Sequence, residues 1–122
     1  MKTILFIEDE STLQKVVGDN LAQENYEVIS ALDGEIGLRL AKDRRPDLIL
    51  LDLILPRING FEVLKKLKED QKTKEIPVIV LTNLEGMADI NKVLELGATT
   101  YLVKAQYSLA ELTAKIKNII RE

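Results

Sequence analysis

Three short runs set the terms on which this chain can fold: Ile4 to Ile7, Leu48 to Leu51 and Val78 to Leu81 contain no polar residue. A strand with one wet face alternates apolar and polar side chains, so unbroken runs of this length read as strands covered on both faces. Strands of that kind belong to parallel sheets held between two layers of helix. Tyr26 to Ile29 and Thr100 to Val103 fit two further strands.

Between the runs the apolar period changes from strand to helix. Leu13, Val16, Val17 and Leu21 predict a first helix, and Asp33-Gly34 marks a turn. Ile36, Leu38, Leu40 and Ala41 predict a second helix, closed by Arg44-Arg45-Pro46. Phe61, Leu64 and Leu67 predict a third, ending near the polar stretch from Glu69 to Glu75. Met87, Ile90, Val93 and Leu94 predict a fourth, stopped at Gly97. Leu109, Leu112, Ile116, Ile119 and Ile120 line a fifth, with Ser108 as its cap. Strand and helix alternate five times without repeat or linker, which predicts one α/β domain over residues 1–122. Its sheet is expected to be doubly wound and parallel, a flavodoxin-like three-layer sandwich. Right-handed crossovers make the strand order 2-1-3-4-5, with the first and third strands adjacent where the winding reverses.

Composition removes several functions. The 122 residues contain neither cysteine nor histidine, so disulfides, thiolate chemistry, imidazole bases and imidazole metal ligands are excluded. Any metal site must use oxygen ligands and favour a hard cation. A net charge of -3 with mixed signs leaves no footprint for direct nucleic-acid binding. No run is long enough to span a bilayer, and the start MKTILFIEDE turns acidic too early for a secretory signal. A cytoplasmic protein without membrane contact is expected.

The strand ends carry the chemistry. Ligands bind such sheets at the carboxyl edge, near the switch point. There the first strand runs into Glu8 and Asp9, and the third stops at Asp52. Three carboxylates forced together repel unless a cation lies between them, and Mg²⁺ suits an all-oxygen set with room for water. Thr82 and Lys104 close the fourth and fifth strands, adding a hydroxyl and an ammonium to the same edge. Carboxylates with a metal on one side and fixed donors on the other fit a phosphoryl group, with Asp52 placed as nucleophile.

At this point the chain resembles, along essentially its whole length, the receiver domains of two-component response regulators. The matching pieces are the acidic pair in FIEDE, the block LLDLILPRINGFEVL, the IVLT strand and YLVK. The resemblance implies that Asp52 is the phosphoacceptor and forms an acyl phosphate. It implies that Asp9 binds Mg²⁺ directly and Glu8 through water, with the backbone carbonyl of Ile54 as a further ligand. Thr82 and Lys104 would hold the phosphoryl oxygens. Tyr101 would be the aromatic switch residue that turns inward as Thr82 moves, altering the face of the fourth helix, fifth strand and fifth helix. Such a domain phosphorylates on one side chain and is not a turnover enzyme. Without histidine it needs a histidine kinase or phosphotransfer protein in trans, and it acts on a downstream output protein. A monomer or weak dimer is expected, either stand-alone or as part of a longer regulator.

Other readings fit less well. A flavodoxin-like cofactor module needs a Ser/Thr/Gly-rich phosphate loop where this chain is acidic. An aspartate-nucleophile phosphatase wants a second carboxylate where Ile54 stands. A receiver-like interaction module that is never phosphorylated is opposed by the intact acceptor, acidic pair, threonine and lysine. One departure from the family is Lys104-Ala105 in place of its usual Lys-Pro. A cis bond before alanine costs about 2.5–4 kcal/mol, so a trans bond is expected. Ile54 and Leu84 are apolar and cannot orient an attacking water, which predicts slow dephosphorylation.

Overall fold

The computed structural model describes residues 1–83, 87–104 and 108–120, with Thr82, Met87 and Ala88 described by their backbone alone. In chain order the elements are β1 (Thr3–Ile7), α1 (Ser11–Gln23), β2 (Glu27–Ala31), α2 (Gly34–Arg44) and β3 (Leu48–Asp52). They continue as α3 (Gly60–Glu69), β4 (Val78–Thr82), α4 (Met87–Glu95), β5 (Thr100–Val103) and α5 (Leu109–Ile120). All pairings are parallel and the strand order is β2-β1-β3-β4-β5, as the alternation of runs predicts.

The burial explains the unbroken apolar runs. Successive side chains of a strand point to opposite faces, and here both faces are covered. Leu5, Ile7, Ile49, Leu51, Val78 and Val80 join one core with Val63, Leu64 and Leu67 of α3 and Val93 of α4. Ile4, Phe6, Leu48, Leu50, Ile79 and Leu81 join the other with Val17 and Leu21 of α1 and Leu112 and Ile116 of α5. Each fully buried Leu or Ile contributes roughly 1.5–3 kcal/mol against remaining in water.

Register fixes the strand ends. Ile4 lies beside Leu48 and Ile7 beside Leu51, so Glu8 comes level with Asp52. At the opposite end Asp47 clamps Thr3 twice: the Thr3 amide donates to Asp47 Oδ2 at 2.7 Å and the Asp47 amide to Thr3 O at 2.8 Å. On the other side of β3, Asp52 pairs with Leu81, and Thr82 pairs with Val103 just before Lys104.

Three expectations shift. Val16 is 45% exposed, and the inner line of α1 is Gln14, Val17 and Leu21, an i, i+3, i+7 set that places polar Gln14 inside. Leu94 is likewise on the outside of α4, where Val93 turns inward. The second strand is Glu27–Ala31 and leaves out Tyr26. Tyr26 is buried because it closes α1: its amide donates to Leu21 O and that of Asn25, at φ 69°, to Ala22 O. That is the paired bonding of a Schellman stop, whose final residue is characteristically apolar. The expected cap of α5 is present, with Ser108 Oγ accepting from the Glu111 amide at 3.1 Å. No helix among the described residues is long and apolar enough to cross a membrane.

Candidate functional site

The carboxyl edge of the sheet gathers four charged side chains from three segments. Carboxylate oxygens of Glu8, Asp9 and Asp52 lie within 4.8 Å of one another. Glu8 and Asp52 are 1% and 4% exposed, whereas Asp9 faces solvent. Lys104, directly after β5, reaches across β4 and donates from Nζ to Glu8 Oε1 at 2.7 Å and to Asp52 Oδ2 at 3.0 Å. The remaining oxygens are held by the main chain: Glu8 Oε2 accepts from the Glu10 amide at 3.2 Å, and Asp52 Oδ1 from the Ile54 amide at 3.3 Å.

The loop after Asp52 is locked by α3. Asn59 caps that helix, its Oδ1 accepting from the Glu62 amide at 3.0 Å. The Gly60 amide donates to Leu53 O at 2.8 Å. A β-carbon at Gly60 would lie 2.3 Å from Leu53 Cα and 2.5 Å from Asp52 O, so only glycine permits this close approach. The start of α3 is thereby pressed against the backbone that carries Asp52.

Two buried carboxylates share one ammonium, and the electrostatics show it. Burial raises the Glu8 carboxyl from its usual 4.5 to about 7; the hydrogen bond from Lys104 opposes the rise and the neighbouring Asp52 adds to it. For Lys104, burial favours the neutral amine. The bonds to Glu8 and Asp52 outweigh burial and hold the ammonium above its usual 10.5. Lys104 therefore stays charged, while Glu8 can keep a proton until near neutral pH.

The structure thus brings together Glu8, Asp9, Asp52 and Lys104. Ile54 directs its amide toward Asp52, and its side chain is 60% exposed. Tyr101 is half-buried and packs against the core on the α2, α3 and α4 side. The side chain of Thr82, all of Leu84 and the Lys104-Ala105 peptide lie outside the described residues. Two contributors escape a reading for chemistry. Asn59, followed three residues later by Glu62, is a legible cap signal. Gln14 is signalled only by sharing the spacing of Val17 and Leu21.

The three clustered carboxylates offer hard oxygen donors with no competing nitrogen or sulfur ligand, and exposed Asp9 leaves one side open to water. That donor set fits a hard divalent cation.

Comparison with known proteins agrees with this geometry. The pattern of the response regulator receiver domain matches residues 4–117. The DNA-binding dual master transcriptional regulator RpaA of Synechocystis is 38% identical over 121 residues, covering 99% of this chain and 50% of that protein. The chain spans about half the length of the curated relatives it matches. A putative response regulator from Chloroflexus aurantiacus superposes with a TM-score of 0.91 at 30% identity, covering 99% of this chain and 98% of that one. The receiver domain of sensor histidine kinase PA1611 from Pseudomonas aeruginosa has a TM-score of 0.89 at 29% identity, with 99% and 98% coverage. That structure holds a magnesium ion coordinated in its active site cleft.

Proposed function

The chain belongs to the response regulator receiver domain family, and on that premise we propose that Asp52 accepts a phosphoryl group from a phosphohistidine presented in trans. The observation that carries the proposal is the convergence of Asp52, Glu8, Asp9 and Lys104 at one sheet edge. A carboxylate oxygen of Asp52 attacks phosphorus, the phosphorus–nitrogen bond breaks, and the imidazole leaves with the bonding electron pair. Asp52 becomes an acyl phosphate. The sequence contains no histidine, so the donor is a histidine kinase or phosphotransfer protein.

Glu8, Asp9, Asp52 and the Ile54 carbonyl would hold Mg²⁺, with Asp9 as the direct acidic ligand and Glu8 acting through water. The cation supplies neutralisation of the phosphoryl oxygens. Lys104 has the matching role on the protein side: its ammonium, 3.0 Å from Asp52 Oδ2, can follow negative charge onto the transferred group. Thr82, at the end of β4, would donate its hydroxyl to the same group. Glu8 and Asp52 are almost fully buried, which keeps bulk water from competing for these contacts.

Phosphorylation then biases two states of the domain. Thr82 drawn inward leaves space for Tyr101, and the face of α4, β5 and α5 changes for a downstream output protein. We place this event in the cytoplasm, in a monomer or weak dimer, as a single acceptor step rather than a turnover reaction. The test is incubation with Mg²⁺ and a small acyl phosphate, read by intact mass. The parent should gain one phosphoryl mass and Asp52→Asn none. Equal labelling of both would refute Asp52 as acceptor.

A further inference from the structure

Gln14 lies in the first turns of α1 and is 7% exposed. Its Nε2 donates to three main-chain carbonyls: Phe6 O at 2.9 Å, Glu8 O at 3.1 Å and Ala31 O at 3.2 Å. A carboxamide has two N–H groups, so at least one hydrogen is shared. The same amide has its Oε1 buried with no hydrogen-bond partner. A buried, unmet acceptor costs about 1–3 kcal/mol, a cost that an apolar side chain of the same length would not carry. The amide is therefore a poor choice for packing alone, and its donors must matter.

What those donors hold is the link between β1 and α1. That link carries Glu8 and Asp9, and the usual clasp is missing from it: Glu10, the N-cap of α1, makes no side-chain capping bond. Ala31 O at the end of β2 accepts the Glu8 amide at 3.0 Å, and the Gln14 amide group takes both this oxygen and the carbonyl of Glu8 itself. The main-chain Gln14 amide also donates to Glu10 O at 3.0 Å. One residue thus grips the peptide joining Glu8 to Asp9 and ties it to the ends of β1 and β2.

We propose that Gln14 is a positioning residue for the carboxylate site, setting the direction in which Glu8 and Asp9 present their oxygens to a divalent cation. The proposal deepens the reading of Glu8, Asp9 and Asp52 as ligands and rests on it. Partners that orient metal ligands typically change metal affinity 10- to 100-fold when lost.

The experiment is a Mg²⁺ titration of the whole chain, followed by calorimetry and by backbone amide shifts, at a temperature where every variant is folded. Gln14→Met keeps length and removes all three side-chain donors; it should weaken Mg²⁺ binding by about tenfold or more. Thr73→Val is the control for plain loss of stability. Thr73 is also buried and donates to Leu67 O at 2.7 Å, but it precedes β4 at the opposite edge of the sheet. It should leave the affinity unchanged. If Gln14→Met fails to fold, Gln14→Asn carries the same test with an amide one methylene short. Affinity within twofold of the parent in the Gln14 variant, with Asp9→Asn weakened, would overturn the role of Gln14. An Asp9→Asn variant that binds as well as the parent would overturn the metal reading, and this proposal with it.

Discussion

Lys104→Met tests how the site survives without its cation. The substitution keeps most of the stem and removes the ammonium that bonds Glu8 at 2.7 Å and Asp52 at 3.0 Å. Both carboxylates are almost fully buried, and the Lys104 side chain is only 18% exposed, so water does little to replace the lost charge. Removing one partner from a buried ion pair costs about 3–5 kcal/mol when the other charge must stay. Glu8 need not stay charged at every pH. Its carboxyl titrates near 7 in the folded parent against 4.5 when free. The folded state thus holds this proton more tightly than the unfolded chain. That contribution to stability is complete below pH 4.5 and is lost as pH rises through 7. The gap is worth roughly 3 kcal/mol at about 1.36 kcal/mol per pH unit. Without Lys104 the group that opposes this shift is gone, so the penalty falls on the alkaline side. In metal-free buffer, urea unfolding of Lys104→Met should show a loss of about 3 kcal/mol relative to the parent at pH 8.5. At pH 5.5, where Glu8 is neutral, the loss should be about 1 kcal/mol. Millimolar Mg²⁺ at pH 8.5 should recover much of the difference. An equal loss at both pH values would show that Lys104 matters only as packing, and no loss at pH 8.5 would remove it as counter-ion to the pair.

Other substitutions separate the parts. In Mg²⁺ titrations Asp9→Ala should lose more affinity than Glu8→Ala, because Asp9 is the proposed direct ligand; equal losses would contradict that order. Gly60→Ala drives a β-carbon to 2.3 Å from Leu53 Cα and should cost about 2–4 kcal/mol in urea unfolding while slowing phosphorylation. Gly18→Ala, where a β-carbon meets nothing within 4 Å, should instead stabilise α1 by about 0.5–1 kcal/mol. Unfolding curves that rank these two alike would refute the packing argument. Leu84→Gln should speed loss of phosphate by orienting a water, and hydrolysis no faster than in the parent would dispose of that idea.

The sheet and its order are legible because Leu48 to Leu51 and its two companion runs leave no polar face, and that pattern fits little but a doubly covered parallel sheet. Glu8, Asp9, Asp52 and Lys104 are legible because each follows directly on a strand, where the topology decides the neighbours. What is hidden depends on single side chains whose surroundings come from elsewhere in the chain. Tyr26 looks like the start of a strand because a helix stop and a strand both want an apolar residue there. Val16 and Gln14 exchange their expected places because the inward direction of α1 is set by the sheet beneath it. The pressure of Gly60 on the Asp52 backbone exists only once α3 has docked.

β3 also poses a counting problem. With Leu48, Ile49, Leu50 and Leu51 all apolar and all buried, hydrophobicity alone cannot tell the right alignment beside β1 from one displaced by a residue. The marks that can are polar and stand at the two ends: Asp47, clamped to Thr3, and Asp52, met by Lys104. A displaced strand would drag one carboxylate into the apolar layer without its donors and pull the other off its partner. The acceptor is therefore also an end-stop on a ruler. The chain can find its central alignment only by assembling, in the same act, the arrangement of charge on which its chemistry depends.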